Sequence, residues 1–119
     1  MNDKNWEEIK HFKPSEFKHP EMMSFEFVKI LDQVREKFGH PLKITSDGRP
    51  EEENEKAGGK PTSAHLKGVA VDTSCMDSRS RFDLIRAIIE CGITRIGIGK
   101  TFVHFDMDFD KDQRVIWLY

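Results

Sequence analysis

Val69-Ala70-Val71 is a short apolar run that leads straight into a carboxylate, Asp72. A buried strand ending this way must give its Asp a partner, because an ionised carboxylate taken out of water unpaired is very costly. Seven residues earlier stands His65, and between the two lies Gly68, which permits a tight backbone bend. Farther on, Phe102-Val103-His104-Phe105-Asp106-Met107-Asp108 alternates with the period of a strand, so His104, Asp106 and Asp108 share one face. Two imidazoles and one carboxylate, with water in the fourth position, form a common catalytic zinc set, and His65, Asp72 and His104 can supply it.

The rest of the chain bounds what surrounds these residues. Its 119 residues suit one domain, taken as residues 1–119. A domain of that size buries roughly two thirds of its unfolded surface and folds without staples. Nineteen Lys and Arg against 21 Asp and Glu leave a net charge of −2, which argues against a general nucleic-acid binder. No apolar run approaches the roughly 20 residues that span a bilayer, so membrane insertion is not expected. The opening MNDKNWEEIKHF lacks the apolar stretch of a secretory signal, and synthesis in the cytoplasm is the expectation. Cys75 and Cys91 fit neither a disulfide framework nor a paired-thiolate metal knuckle.

Punctuation and periodicity place the elements. Residues 1–19 read as an irregular N-terminal arm whose aromatics, Trp6, Phe12 and Phe17, dock on the core. Phe27, Ile30, Leu31, Val34 and Phe38 recur at helical spacing between about Ser24 and Phe38, with Gly39 as the stop. Residues 42–45 read as a short strand, and residues 46–62, with three Gly and two Pro among charges, as a long surface loop of the kind that often lines a site. After the strand at 69–72, a second helix is expected over about Ser78–Cys91, with Phe82, Ile85, Ile88 and Ile89 on one face and Gly92 as its cap. Three strands follow, near 95–98, 102–107 and 114–118. Two main helices and about five strands in unequal order predict an α+β fold.

Plainer readings stand beside the metal site. His11, His19 and His40 lie in polar or turn-rich segments and read as solvated. A lone His near a strand is more often a satisfied residue than a ligand, and Asp106 with Asp108 could be the wet face of an edge strand. The facial triad of non-haem iron oxygenases begins H-x-D, as His104-x-Asp106 does, but no His follows residue 106 and the chain is too short for that barrel. Cys75, three residues past Asp72, could close a structural zinc site, although a small buried thiol is its ordinary role. The acidic run Glu51-Glu52-Glu53 reads as solvated loop.

Ser63, His65, Gly68, Ala70 and Asp72 match S-x-H-x-x-G-x-A-x-D at every fixed position, and His104 with Asp106 matches a downstream H-x-D. By these motifs the chain resembles the zinc D-alanyl-D-alanine carboxypeptidases and L-alanyl-D-glutamate endopeptidases of peptidoglycan, whose metal-site fold is shared with the hedgehog signalling domain. The flanks agree: Ser46 and Arg49, Asn54 with Gly58-Gly59, Gly97-Ile98-Gly99 and Trp117. The resemblance covers roughly residues 12–119 and is nearest to the short, single-domain members of phages and bacteria. It implies one zinc ion on His65, Asp72 and His104. It implies substrate binding and oxyanion stabilisation by Arg49, substrate binding by Ser63, and a peptidoglycan stem peptide as partner. A small mixed or antiparallel sheet with two main helices goes with it; the sequence carries no sign of the oligomeric state, and a monomer is the plain expectation.

One position departs from the pattern. Many relatives carry an acid three residues before the last His, where Thr101 stands here, preceded by Lys100. Asp106 is then the candidate general base, or else a partner that holds a His ligand in its tautomer. The departure keeps a second reading in view, a catalytically inactive, metal-stabilised binding module. A phage lysis product (an endolysin) and an enzyme of intracellular wall recycling both agree with the sequence.

Overall fold

The computed structural model describes residues 1–119. The N-terminal arm, expected to be irregular, instead opens with a short helix, α1 (Asp3–Glu7), and has a 3₁₀ turn at Pro14–Glu16, with a second turn, Pro20–Met22, just after it. Ile9, Phe12 and Phe17 of the arm are buried, with the Phe17 ring against those of Trp6 and Phe12. Helix α2 (Phe25–Phe38) anchors the arm, since its buried Asp32 accepts backbone hydrogen bonds from Lys10 at 2.9 Å and His11 at 2.8 Å. Ser24 caps the start of α2, Glu26 and the pair Arg35 and Lys37 complement its dipole, and Gly39 ends it at φ 79°.

Five strands follow: β1 (Ile44–Ser46), β2 (Ala70–Ser74), β3 (Arg95–Ile98), β4 (Phe102–Asp106) and β5 (Val115–Leu118). They form one mixed sheet in the order β1-β2-β4-β3-β5, antiparallel except for the β3–β5 pair. With the helices this is the α+β architecture expected. Besides α1, two elements differ from the sequence reading. The long loop contains a helix, α3 (Glu51–Lys56), with Pro50 at its N-cap and three glutamates in its first turn, where the dipole favours them. The charge and the flanking Gly and Pro masked a short run of good helix formers.

The second difference is the face of α4 (Ser78–Glu90), which is capped by Asp77. Leu84, Ala87 and Ile88 are buried, whereas Phe82 and Ile89, expected on the core face, are 66% and 52% exposed. Turning the helix toward Leu84 meets α2 and the sheet with a narrower stripe than the sequence spacing suggested.

Register sorts the sheet into two faces. Val71, Phe105, Ile96 and Ile116 lie side by side across β2, β4, β3 and β5, and with Thr73, Val103 and Ile98 they make the apolar face. Helices α2 and α4 pack on that face, and Phe27 meets Phe105 with ring centroids 6.3 Å apart. The row runs out at the β5 edge, where Ile116 and Leu118 stand exposed. The opposite face carries Asp72, His104, Gly97 and Trp117 in one cross-strand row. No helix is long and apolar enough to cross a membrane.

The orientation of α4 is open to a direct check. Ile88→Ala is expected to cost about 2–5 kcal/mol, the usual range for emptying a fully buried site. Ile89→Ala should cost less than about 1 kcal/mol, because its side chain is already half in water. Urea unfolding of the two variants measures the contrast, and equal losses would place Ile89 in the core after all.

Candidate metal centre

His65 sits in a 3₁₀ turn, Ala64–Lys67, that precedes β2. Ser63 caps the turn, its Oγ accepting from the His65 amide at 3.3 Å, and Gly68 closes it at φ 70°. Position 68 tolerates no side chain, since a Cβ there would collide with the Met22 carbonyl. The Gly68 carbonyl in turn accepts from the Ser24 amide at 2.9 Å, which ties the turn to the start of α2. The His-to-Asp spacing of the motif is thus one turn plus the entry into a strand.

From that turn His65 points inward, nearly fully buried. Its Nδ1–H donates to the Asp47 carbonyl at 2.8 Å; a carbonyl only accepts, so the proton is on Nδ1 and the Nε2 lone pair is free. That Nε2 lies 3.5 Å from Asp72 Oδ1. Asp72 stands opposite His104 in the β2–β4 ladder, and its Oδ1 is 2.8 Å from His104 Nδ1. His104 Nε2 faces Asp106 Oδ2 at 2.7 Å. The ligand atoms of His65, Asp72 and His104 all lie within 4.8 Å of one another, a group that could hold a metal ion.

The donor chemistry fits a cation. With a carboxylate on each ring nitrogen, His104 must carry two protons, or one proton and a metal. Burial disfavours its charge, but Asp106 and Asp72 outweigh this and raise the imidazole pKa. Burial likewise works against an ionised Asp72, yet the hydrogen bond from His104 and the nearby His65 ring hold its carboxyl far below the usual range. A divalent ion in place of the Nδ1 proton would meet one carboxylate oxygen and two imidazole lone pairs.

Asp106 is committed elsewhere. Its side chain is only 1% exposed; Oδ1 accepts from Arg95 Nε at 2.8 Å and the Asp108 amide at 3.0 Å, while Oδ2 faces His104. Burial pushes its carboxyl up, but His104, the Asp108 amide and Arg95 bring it below the usual range. Such engagement suits a residue that orients His104. Thr101 and Lys100 are exposed and do not line the site. Cys75 is buried in the apolar core, outside the group, with its thiol pKa raised by burial.

The group forms the floor of a cleft of about 680 Å³. Arg49 lies in one wall, its amide bonded to the His65 carbonyl at 3.0 Å and its Nε buried without a hydrogen-bond partner. Another part of the lining is aromatic: Trp117 meets the His104 ring at 5.5 Å, and Tyr119 meets Phe102 at 5.0 Å. Gly97 makes this possible, since a Cβ there would lie 2.6 Å from both Trp117 Nε1 and Tyr119 Cε2. His11, His19 and His40 lie outside the group.

Three contributors went unread in the sequence: Asp47, Arg95 and the wall residue Tyr119. Arg95 left one signal, a cation opening an otherwise apolar strand. Asp108 also gains a role, clamping the His65 turn to the end of β4. Its Oδ1 accepts from Lys67 Nζ at 2.8 Å, and Lys111 Nζ lies 3.3 Å from Oδ2.

Taken together, fold and site define a small α+β protein with a three-residue candidate metal centre at the base of an open cleft. The chain belongs to the Peptidase M15 family, whose sequence profile matches residues 6–106. Its fold is similar to that of the L-Ala D-Glu endopeptidase ChiX of Serratia marcescens, at 24% identity and a TM-score of 0.54 over 92% of this chain and 96% of that one. No curated protein sequence matches the chain.

Two outcomes test this geometry. Gly97→Ala is expected to cost about 1–3 kcal/mol by overpacking and to shift Trp117 fluorescence as the aromatic wall moves off His104; an unmoved spectrum at full stability would refute the close approach. The Asp108 carboxyl is raised by burial but brought lower overall by Lys67, the Asp110 amide and Lys111. A carboxyl lowered on folding stabilises above its unfolded pKa, about 4, and that contribution is lost as pH falls through the folded value. Asp108→Asn should therefore flatten the acid limb of stability against pH below about pH 4, read by urea unfolding.

Proposed function

We propose that the protein is a zinc-dependent peptidase that cleaves peptidoglycan stem peptides, at D-Ala-D-Ala or at an L-Ala–D-Glu-type bond, with residues 1–119 as one peptidase domain. The observation that carries this is the convergence of His65 Nε2, His104 Nδ1 and Asp72 Oδ1 at the floor of an open cleft beside Arg49. Membership of a peptidase family supports the reaction class. The likeness to an endopeptidase that cuts L-Ala–D-Glu supports the stem peptide as substrate.

In this reading His65, Asp72 and His104 hold one zinc ion. The chemistry supplied by such an ion is Lewis-acid polarisation of the scissile carbonyl and acidification of a water to a pKa near about 7. The chain's own residues do the remaining work. Arg49 binds a substrate carbonyl or carboxylate with its guanidinium and stabilises the charge that builds on the oxygen. Ser63, already capping the His65 turn, presents its hydroxyl proton to the substrate backbone. Asp106 holds the Nε2 proton of His104, so that Nδ1 keeps its lone pair toward the metal. Trp117 and Tyr119 shield one side of the reacting group from water.

One observation favours a second reading. Asp72 and Asp106 are the only carboxylates lining the cleft, and both are engaged, which leaves no idle base. A catalytically inactive, metal-stabilised binding module would look the same. Mass spectrometry of peptidoglycan fragments, with and without a chelator, separates the two. Chelator-sensitive loss of D-Ala or a clean internal cut supports the peptidase, and an inert protein holding one zinc supports the module.

Substitutions assign the roles. His65→Ala, Asp72→Ala and His104→Ala should each abolish stoichiometric zinc, and zinc retained in any of them removes that residue from the set. Asp106→Asn should weaken zinc affinity by about 10–100-fold if the residue orients His104. Full zinc affinity with kcat down by about 10²–10⁴-fold would instead make Asp106 the general base.

A further inference from the structure

The walls of the cleft carry more cations than the centre can use. Arg49, Lys60, Arg95 and Lys111 line it, against Asp72 and Asp106 alone. Arg95 is matched to Asp106, and Lys111 pairs with Asp108 below the rim. Arg49 and Lys60 pair with no carboxylate, and the Arg49 Nε is buried with no partner at all. Two unmatched cations lining one cleft attract an anion, and any metal on the triad would add to that field.

Lys60 is also held unusually well for a surface lysine. Its carbonyl accepts from Asn54 Nδ2 at 2.8 Å and from the Ser63 amide at 2.9 Å, and Asn54 itself is buried in α3. The Gly59 amide donates to the Asn54 carbonyl at 2.8 Å, while a Cβ at position 59 would collide with the Asn54 side chain. The rim from Gly58 to Ser63 is thereby pinned to α3, with the Lys60 backbone fixed at the mouth of the cleft. Little backbone order remains to be imposed when an anion binds.

Resting on the peptidase reading above, we propose that Lys60 is a specificity-determining residue: with Arg49 it selects substrates that carry a free carboxylate beyond the scissile bond, and it disfavours stems in which that carboxylate is amidated. Replacing the carboxylate by an amide keeps shape and size but removes the charge, leaving the Lys60 ammonium with no counter-ion. Asn54 is the positioning residue for this recognition.

The test uses two stem tetrapeptides, L-Ala-D-Glu-L-Lys-D-Ala linked through the Glu γ-carboxyl, identical except that the Glu α-carboxylate is free or amidated. Each is also made as a non-hydrolysable ketomethylene analogue at the L-Ala–D-Glu bond, for calorimetric binding to the zinc-loaded protein. The wild type should prefer the acid by about tenfold or more in Kd and in kcat/KM, the worth of one well-placed ionic contact. Lys60→Gln should bring the acid-to-amide ratio near one, mainly through KM, whereas Lys60→Arg should retain it and added salt should erode it.

A wild type that binds acid and amide equally, or Lys60→Gln with the preference intact, overturns the proposal. Failure to bind either analogue overturns it as well. If neither peptide is cut but the binding preference still follows Lys60, cleavage at the L-Ala–D-Glu bond falls and the carboxylate site stands.

Discussion

The register between β2 and β4 places Asp72 directly beside His104, and most of the site depends on that pairing. Opposed residues in an antiparallel ladder have Cβ atoms about 4.5–5.5 Å apart, close enough for a carboxylate to reach an imidazole. The same register puts Val71 beside Phe105 on the other face, under α2 and α4. A slip of one residue would bury Asp72 among apolar side chains and expose Val71. The apolar face thus enforces the polar one: hydrophobic burial selects the pairing that brings the ligand atoms together.

Around that pair runs a continuous relay. Arg95 holds Asp106, Asp106 faces His104, His104 meets Asp72, Asp72 lies near His65, and His65 donates to the Asp47 carbonyl. Asp106 has donors on both oxygens and Asp72 has His104, which is how a small protein can keep two carboxylates largely out of water. Asp47 extends the relay to the arm, its carboxylate accepting from the His19 amide at 2.8 Å. The arm and the centre therefore share a buried residue, and packing of residues 1–19 bears on the orientation of His65.

Much of this was legible in the sequence because it is written in short spacings. The motif from Ser63 to Asp72 is one turn and one strand entry, and the alternation over 102–106 is local, so both could be read without any partner strand. Helix α2 was legible for the same reason, its stripe and its Gly39 stop lying within a single segment. What escaped depends on distant partners. Arg95 and the Trp117–Tyr119 wall join the site only through the pairing of β3 with β4 and β5. Asp47 acts through its backbone carbonyl, which no side-chain pattern reveals. The face of α4 was misread because Phe82 and Ile89 are as apolar as Leu84 and Ala87, and only the position of α2 decides which stripe is covered. Helix α3 was hidden by glutamates that look like a solvated loop until their place beside a helix N-terminus is known.

The openness of the centre has a physical origin in the same topology. A purely structural zinc site usually closes its fourth position with a Cys or His. Here the nearest thiol along the strand, Cys75, is buried in the apolar core, outside the ligand group. The rows that flank the triad on its own face supply Arg95 and Asp106 on one side and the Phe102 and Tyr119 rings on the other, none of them placed as a further ligand. His65, Asp72 and His104 would therefore hold a metal with no further protein ligand, at the floor of a cleft that Arg49 and the aromatic rings also line. Such a centre beside an unmatched cation would suit an anionic or carbonyl-bearing ligand, and that follows from which residues the two sheet faces separate.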